Sequence, residues 1–161
     1  MRTNWSFAFV AFALACLQLP AQRTWRVNCI GGPNVDFPDL PAAVAAAAPG
    51  DTIWVILDPQ QCAQTSPYSA SVTIDKALTI VGVTSLGSPG FPDPAEVPVQ
   101  GELQITGIPA GQRVSLCNLS ILPWLNSANP FSHGIHATDC AGEILLEDVY
   151  YIGLGHNQSI M

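Results

Sequence analysis

The chain has 161 residues, of which only 11% are charged, and it contains 13 glycines and 14 prolines. Five lysines and arginines stand against twelve acidic residues, which gives a formal net charge of −7. Nucleic-acid binding needs a basic face, so this composition excludes a nucleic-acid partner. The same charge repels acidic polysaccharides unless a cation bridges the two.

The N-terminus has the pattern of an export signal. Arg2 precedes an apolar run over residues 7–19 that is too short for a transmembrane helix, and a small residue follows near the exit. We predict a signal peptide over residues 1–22 and one domain over residues 23–161, secreted or held in the cell envelope. Lipid anchoring at Cys16 is the less favoured alternative, because the residue three positions before it is small.

A short helix followed at once by a buried strand is predicted between residues 37 and 56. Asp39 can cap the helix N-terminus, and Pro49-Gly50 ends the helix with a sharp exit. Ile53 and Val55 then alternate with residues that point to the other face, as in a strand.

Further short strands follow without a second helix. Val72 and Ile74 alternate with polar residues, a polar corner occupies 75–77, and a second apolar run begins at Leu78. The corner has no Asn-Gly hairpin chemistry, so it indicates a bend into a new sheet rather than a chain reversal.

Over residues 37–83 the sequence resembles the N-terminal cap and first coil of the pectin lyase-like superfamily. It departs from that family at 58–66, where a tight turn is usual. The resemblance implies an all-β fold, a short right-handed parallel β-helix with an N-terminal capping α-helix, and its motif includes no catalytic residue. The residues that carry it are Ala43, Val44, Ala47, Pro49 to Ile53, Val55, Tyr68, Val72, Ile74, Lys76, Leu78 to Ile80 and Gly82.

A weak repeat of thirty residues supports stacked coils. The residues Val114, Leu116, Asn118, Leu119 and Ile121 recur as Ile144, Leu146, Asp148, Val149 and Tyr151. Apolar positions on both sides of a polar residue suit two strands joined by a sharp corner and facing one core. Asn118 and Asp148 are predicted to form the corners, because Asn and Asp tolerate unusual backbone angles.

Four cysteines remain after signal cleavage. An even number in an exported chain favours disulfides, and three pairings are possible. We predict bonds between Cys29 and Cys62 and between Cys117 and Cys140. The alternative is buried free thiols.

Two groups of residues are candidate binding sites. Trp54, Trp124, Tyr150 and Tyr151 could stack on sugar rings, although Trp124 could instead pack its own loop onto the coils. The acidic cluster Asp139, Glu143 and Glu147 could bind calcium, with solvated surface carboxylates as the alternative. No other cofactor is predicted.

The later coils contain little that could carry catalysis. The Gly155-His156-Asn157 sequence resembles the Gly-His-Gly of polygalacturonases, but the other elements of those enzymes have no counterpart here. Lyase chemistry needs a basic residue in the groove, and Arg113 is the only cation near these coils. We predict no catalytic residue and an exported, non-catalytic module for surface structure or carbohydrate binding. The alternative is the N-terminal portion of a polysaccharide lyase or glycoside hydrolase.

The end of the sequence also predicts a partner. A parallel β-helix exposes the core and the backbone edge of its last coil unless something covers them. Residues 150–161 are largely apolar, contain no lysine or proline, and are few for a cap. We therefore predict either end-to-end self-association or membership of a longer β-helix.

Overall fold

The computed structural model describes residues 21–57, 71–84, 97–122 and 134–151. Its helix and strands are β1 (Thr24–Val27), α1 (Leu40–Ala46), β2 (Thr52–Leu57), β3 (Val72–Ile74), β4 (Thr79–Thr84), β5 (Val97–Gln100), β6 (Leu103–Thr106), β7 (Arg113–Leu122), β8 (Ile135–Thr138) and β9 (Glu143–Tyr151). No helix in these ranges is long and apolar enough to cross a membrane.

The strands form two parallel sheets. The first sheet has the order β1-β2-β4-β7-β5, with β9 also paired to β7, and the second has the order β3-β6-β8. Every paired strand runs parallel to its neighbour. The chain is a parallel β-solenoid of about three turns, which confirms the predicted β-helical fold class. The right-handed winding and the capping role of the helix stay predictions.

Successive turns stack equivalent residues above one another. Ile53 lies in register with Ile80, Ile80 with Leu116, and Leu116 with Leu146. The first three side chains of this column are fully buried, as are Ile74, Leu103 and Ile105 of the second sheet. Burying each such side chain stabilises the fold by about 1.5–3 kcal/mol, so the stacked apolar columns are the main source of stability.

Helix α1 is stabilised by hydrogen bonds at both of its ends and by packing against the core. Asp39 Oδ1 accepts a hydrogen bond from Ala42 N at 2.8 Å, which confirms the predicted N-cap. Leu40 and Val44 are buried in the same apolar cluster as the strands. Lys76 Nζ donates to Val44 O, at 3.3 Å, and also to Ala47 O. These contacts satisfy carbonyl groups that a helix C-terminus leaves unpaired.

The corners are where the repeat predicted them. Asn118 has φ 54° and Asp148 has φ 50°, and both lie in the middle of long strands that bend at those points. β7 and β9 pair with the thirty-residue offset of the repeat on both sides of the bend. Asn118 Nδ2 also donates to Gly82 O at 2.8 Å, which ties this corner to the preceding turn.

Replacing Asn118 should separate the two contributions of this corner. Asn118→Ala loses the hydrogen bond and strains a positive φ, so we expect it to lower the free energy of unfolding by about 2 kcal/mol. Asn118→Gly relieves the backbone strain, and we expect a loss of about 1 kcal/mol or less. Urea unfolding of both variants measures the difference. Equal losses in the two variants would show that the positive φ of residue 118 contributes nothing to the difference in the free energy of unfolding.

Candidate functional site

On the outer surface of the first sheet, Trp54 lies beside regularly spaced polar residues. We call this surface, formed by the outward residues of β1, β2 and β4, the Trp54 face. One outward column contains Arg26, Trp54 and Val81, and the adjacent column contains Thr24, Thr52 and Thr79. Neighbouring rungs of a sheet lie about 4.8 Å apart, so the two columns form a regular strip along the solenoid.

Trp54 is presented to solvent by its strand. Its neighbours Ile53 and Val55 are fully buried, so the alternation of the strand directs Trp54 outward, and 38% of it is exposed. The Arg26 guanidinium carbon lies 6.0 Å from the centre of the indole ring. Trp54 lines an open groove of about 480 Å³, together with Thr24, Arg26, Pro33, Asn34, Val35 and Asp36.

One wall of this groove is fixed to β1 by Asp36. Asp36 Oδ2 accepts from Arg26 N at 2.8 Å, and Asp36 N donates to Arg26 O at 2.8 Å. Asp36 Oδ1 also forms an ion pair with Arg23 at 3.5 Å. The loop is therefore held in place before any ligand arrives, and a preorganised wall lowers the entropic cost of binding.

A buried carboxylate supports the strand beneath the groove. Asp51 is 4% exposed, and its oxygens accept from Arg23 N at 2.9 Å, Trp25 Nε1 at 2.8 Å and Ala48 N at 2.9 Å. Burial raises the pKa of Asp51, but the three hydrogen bonds and the nearby Arg23 charge outweigh it, so this pKa lies below its ordinary value. Asp51 therefore joins the start of β1, the end of the helix and β2.

The other predicted aromatic residues do not join Trp54. Trp124 lies outside the described residues. Tyr150 and Tyr151 are about half exposed, but they lie on β9 beyond the corner at Asp148. Tyr150 is in register with Ser120 on β7, not with the column that contains Trp54. The structure therefore places one predicted aromatic residue in a groove and two others on β9, away from that groove.

The predicted calcium ligands are not gathered into one site. Glu143 is paired with Arg113 at 2.7 Å, and Glu147 lies beside Cys117. The two glutamates are four positions apart on β9, a distance of roughly 13 Å along the strand, and Asp139 is an exposed turn residue after β8. The described ranges contain no group of three metal-ligating side chains close enough to hold an ion. The calcium prediction thus has no structural support.

The cysteine predictions divide into two outcomes. Cys117 and Cys140 are free thiols, so the predicted bridge between them is not formed and this pairing is corrected. Cys117 lies beside Glu147, whereas the Cys140 thiol donates to Thr138 O at 3.2 Å and to Ile105 O at 3.6 Å. Burial, with the nearby Glu147 and Asp148 charges, raises the pKa of Cys117.

Cys29 is disulfide-bonded, and its partner lies outside the described residues. Cys62 lies outside them too, so the pairing of Cys29 with Cys62 stays a prediction.

The residues that surround Trp54 were not predicted from the sequence. Arg26, Asn34 and Asp36 come from a segment with no strong periodicity, and they meet Trp54 only because β1 pairs with β2. One signal was available. The triplets Thr24-Trp25-Arg26, Thr52-Ile53-Trp54 and Thr79-Ile80-Val81 each place a threonine two residues before an outward position, and they begin successive rungs.

Comparison with known proteins adds no relative. No family model matches the chain, and no match is found among curated proteins or solved structures. The resemblance to the pectin lyase-like superfamily is therefore supported only at the level of a parallel β-solenoid.

Proposed function

We propose that this chain is an exported, non-catalytic β-solenoid module that binds carbohydrate at the Trp54 face. The observation that carries the proposal is the exposed Trp54 ring beside a groove lined by polar groups. The apolar face of a pyranose suits an aromatic ring. Export is supported by the N-terminal sequence pattern.

The chemistry around Trp54 suits hydroxyl groups. Arg26 and Asn34 supply donors, and Thr24 and Asn34 also supply acceptors. A pocket with an aromatic wall and a few polar groups fixes a small polar ligand in one orientation. The chain has a formal net charge of −7, which disfavours a uronate ligand. We therefore assign the groove to neutral sugars.

The groove favours binding over hydrolysis. Hydrolysis of a glycosidic bond generally uses two carboxyl groups that flank the bond. The lining of this groove includes one carboxylate, Asp36, and its oxygens are engaged by Arg23 and by the Arg26 N–H. No observation on the described residues favours the alternative of a polysaccharide lyase or glycoside hydrolase portion.

Trp54→Ala tests the proposal. We expect the wild-type chain to bind at least one neutral polysaccharide from a panel of β-glucan, xylan and mannan, with polygalacturonate as the acidic comparison. Loss of the indole ring should weaken that binding about fivefold or more, since stacking on aromatic rings contributes on the order of 1 kcal/mol or more. Affinity electrophoresis followed by calorimetry measures the change.

Tyr150→Ala is the matched control, because it removes an exposed aromatic residue that lies away from the groove. We expect it to bind like the wild type. Unchanged thermal unfolding of Trp54→Ala would show that the fold is intact. If Trp54→Ala binds as tightly as the wild type, or if no neutral polysaccharide is bound, the proposal is wrong.

A further inference from the structure

The two outward columns beside Trp54 continue past the groove onto the next rung of the solenoid. Thr24, Thr52 and Thr79 follow one another in register, and Val81 follows Trp54. The pairing gains or loses no residue between these rungs, so each column follows the stacking direction of the solenoid. The two rung spacings from β1 to β4 cover roughly 10 Å, which is longer than one pyranose ring. A ligand larger than one sugar therefore finds contacts beyond the groove.

The threonine hydroxyls of this strip are free to bind a ligand. Thr24 is exposed, and Thr52 and Thr79 are partly exposed. Within the part of the chain that the structure describes, no hydrogen bond engages these three hydroxyl groups. On the second sheet, by contrast, the hydroxyls of Thr106 and Thr138 bond to each other at 3.3 Å. The strip thus offers a row of donors and acceptors at a spacing of about 4.8 Å.

The strip ends at β7. Ser115 follows Thr79 in register but is only 8% exposed. Cys117 follows Val81, and its Sγ lies 4.0 Å from Oε2 of Glu147. A ligand on the strip therefore finds hydroxyl and apolar contacts over β1, β2 and β4, and these contacts stop at β7.

We propose that the ligand of the Trp54 face is a linear chain of β-1,4-linked neutral sugars that runs along the solenoid and is bound through consecutive rings. This inference rests on the proposed function, carbohydrate binding at Trp54. A sugar ring has an apolar face and hydroxyl groups around its edge. The column of Trp54 and Val81 suits the apolar faces of successive rings, and the threonine column suits their hydroxyls.

The direction of the strip favours one type of linkage. In β-1,4-linked glucan, xylan and mannan, both backbone bonds of each ring are equatorial, so the chain is extended and ribbon-like. The α-1,4 linkage of amylose joins the rings at an angle, and that chain curves. Because both columns follow the stacking direction, an extended chain keeps its contacts from β1 to β4. A curved chain leaves the strip after the ring that stacks on Trp54.

Thr79 separates long ligands from short ones. The groove of about 480 Å³ has the size of a site for a small ligand such as a disaccharide. Thr79 lies one rung beyond Thr52 and is not part of the groove lining. A disaccharide held in the groove does not reach Thr79, whereas a longer chain does. The Thr79 hydroxyl should therefore contribute to the binding of long chains only.

Calorimetry on the wild-type chain tests this inference, with cello-, xylo- and manno-oligosaccharides from the disaccharide to the hexasaccharide. We expect the affinity to increase about fivefold or more from the disaccharide to the tetrasaccharide, because the longer chain adds hydroxyl and apolar contacts on β4. The affinity should then stay nearly constant up to the hexasaccharide, since the strip ends at β7. Malto-oligosaccharides, which have the α-1,4 linkage, should show no such increase.

Thr79→Val removes the hydroxyl and keeps the shape of the side chain. We expect it to weaken binding of the tetrasaccharide about two- to tenfold, the range of one net hydrogen bond, and to leave disaccharide binding unchanged. Thr73→Val is the matched control, because it makes the same change at an exposed position of β3 in the second sheet. It should bind both ligands like the wild type.

The outcomes separate this inference from the proposed function. The inference is wrong, and the proposed function stands, if binding depends on Trp54 but the affinity does not increase with chain length. Equal binding of malto-oligosaccharides, or equal behaviour of Thr79→Val and Thr73→Val with the tetrasaccharide, would lead to the same conclusion. If no neutral sugar binds, or if Trp54→Ala binds like the wild type, both proposals are wrong.

Discussion

Gly82→Ala should be the most destabilising single-methyl change in the described core. Gly82 is in register with the buried Val55, and an added Cβ at this position would overlap the backbone oxygen of Asn118 and lie 3.0 Å from Val97 Cβ. The overlap is with backbone, so the corner itself must move. We expect the free energy of unfolding to fall by about 3 kcal/mol or more, a large part of the ~5–15 kcal/mol of a typical domain. The measurement is urea unfolding at neutral pH.

Gly111→Ala is the matched control for Gly82→Ala. Gly111 has φ +79° and no atom within 4 Å of an added Cβ, so its cost is backbone strain of about 1–2 kcal/mol. Gly82 has no such positive φ, and its cost comes only from lost space. If Gly82→Ala were no more destabilising than Gly111→Ala, this result would contradict the tight packing of Gly82 in β4 against the corner of β7.

Asp51→Asn should destabilise the fold strongly at neutral pH. The carboxylate accepts three hydrogen bonds, and an amide keeps one acceptor oxygen while directing an NH₂ group at a backbone or indole donor. Hydrogen bonds to charged groups contribute about 1.5–3 kcal/mol each, so we expect a net loss of about 2–4 kcal/mol. Asp39→Asn is the matched control, because asparagine caps a helix as well as aspartate, and its change should stay within about 0.5 kcal/mol.

The same variant makes a pH prediction. Because the pKa of Asp51 is lowered by folding, its stabilising contribution is fully present above the ordinary value of 3.8 and is lost as the pH falls below it through the folded-state pKa. The stability difference between the wild type and Asp51→Asn should therefore narrow as the pH is lowered below 3.8. Thermal unfolding at several pH values measures this difference. A constant gap down to low pH would show that Asp51 contributes only through packing.

Local sequence pattern was sufficient to predict a structural feature wherever a residue type has a single structural use. The Asp39 cap, the corners at Asn118 and Asp148 and the thirty-residue register of β7 and β9 are all confirmed. β1 and β5 were not predicted. β1 is a four-residue strand with one buried position, and β5 contains Pro98, which cannot donate to a ladder. Both strands form because each pairs with the edge of a longer strand, β1 with β2 and β5 with β7.

The candidate site shows the same division. The outward orientation of Trp54 could be predicted, because an aromatic residue between two buried residues of a strand must face outward. The proximity of Arg26 and Asp36 to Trp54 could not be predicted, since these residues meet Trp54 only through the pairing of β1 with β2. The prediction of a Cys117–Cys140 bridge was wrong, because proximity in sequence does not indicate which side chains lie together after the chain winds into a solenoid.

By itself, the sequence determined the class of fold, the corners and the periodicity of the core, because these depend on alternation, backbone tolerance and spacing along one strand. The tertiary structure alone decided what lies beside Trp54, that Glu143 pairs with Arg113, and that Leu146 and Tyr151 of β9 are exposed. These features depend on which rungs stack against each other. A stacking contact joins residues about thirty positions apart, and no local interaction specifies it.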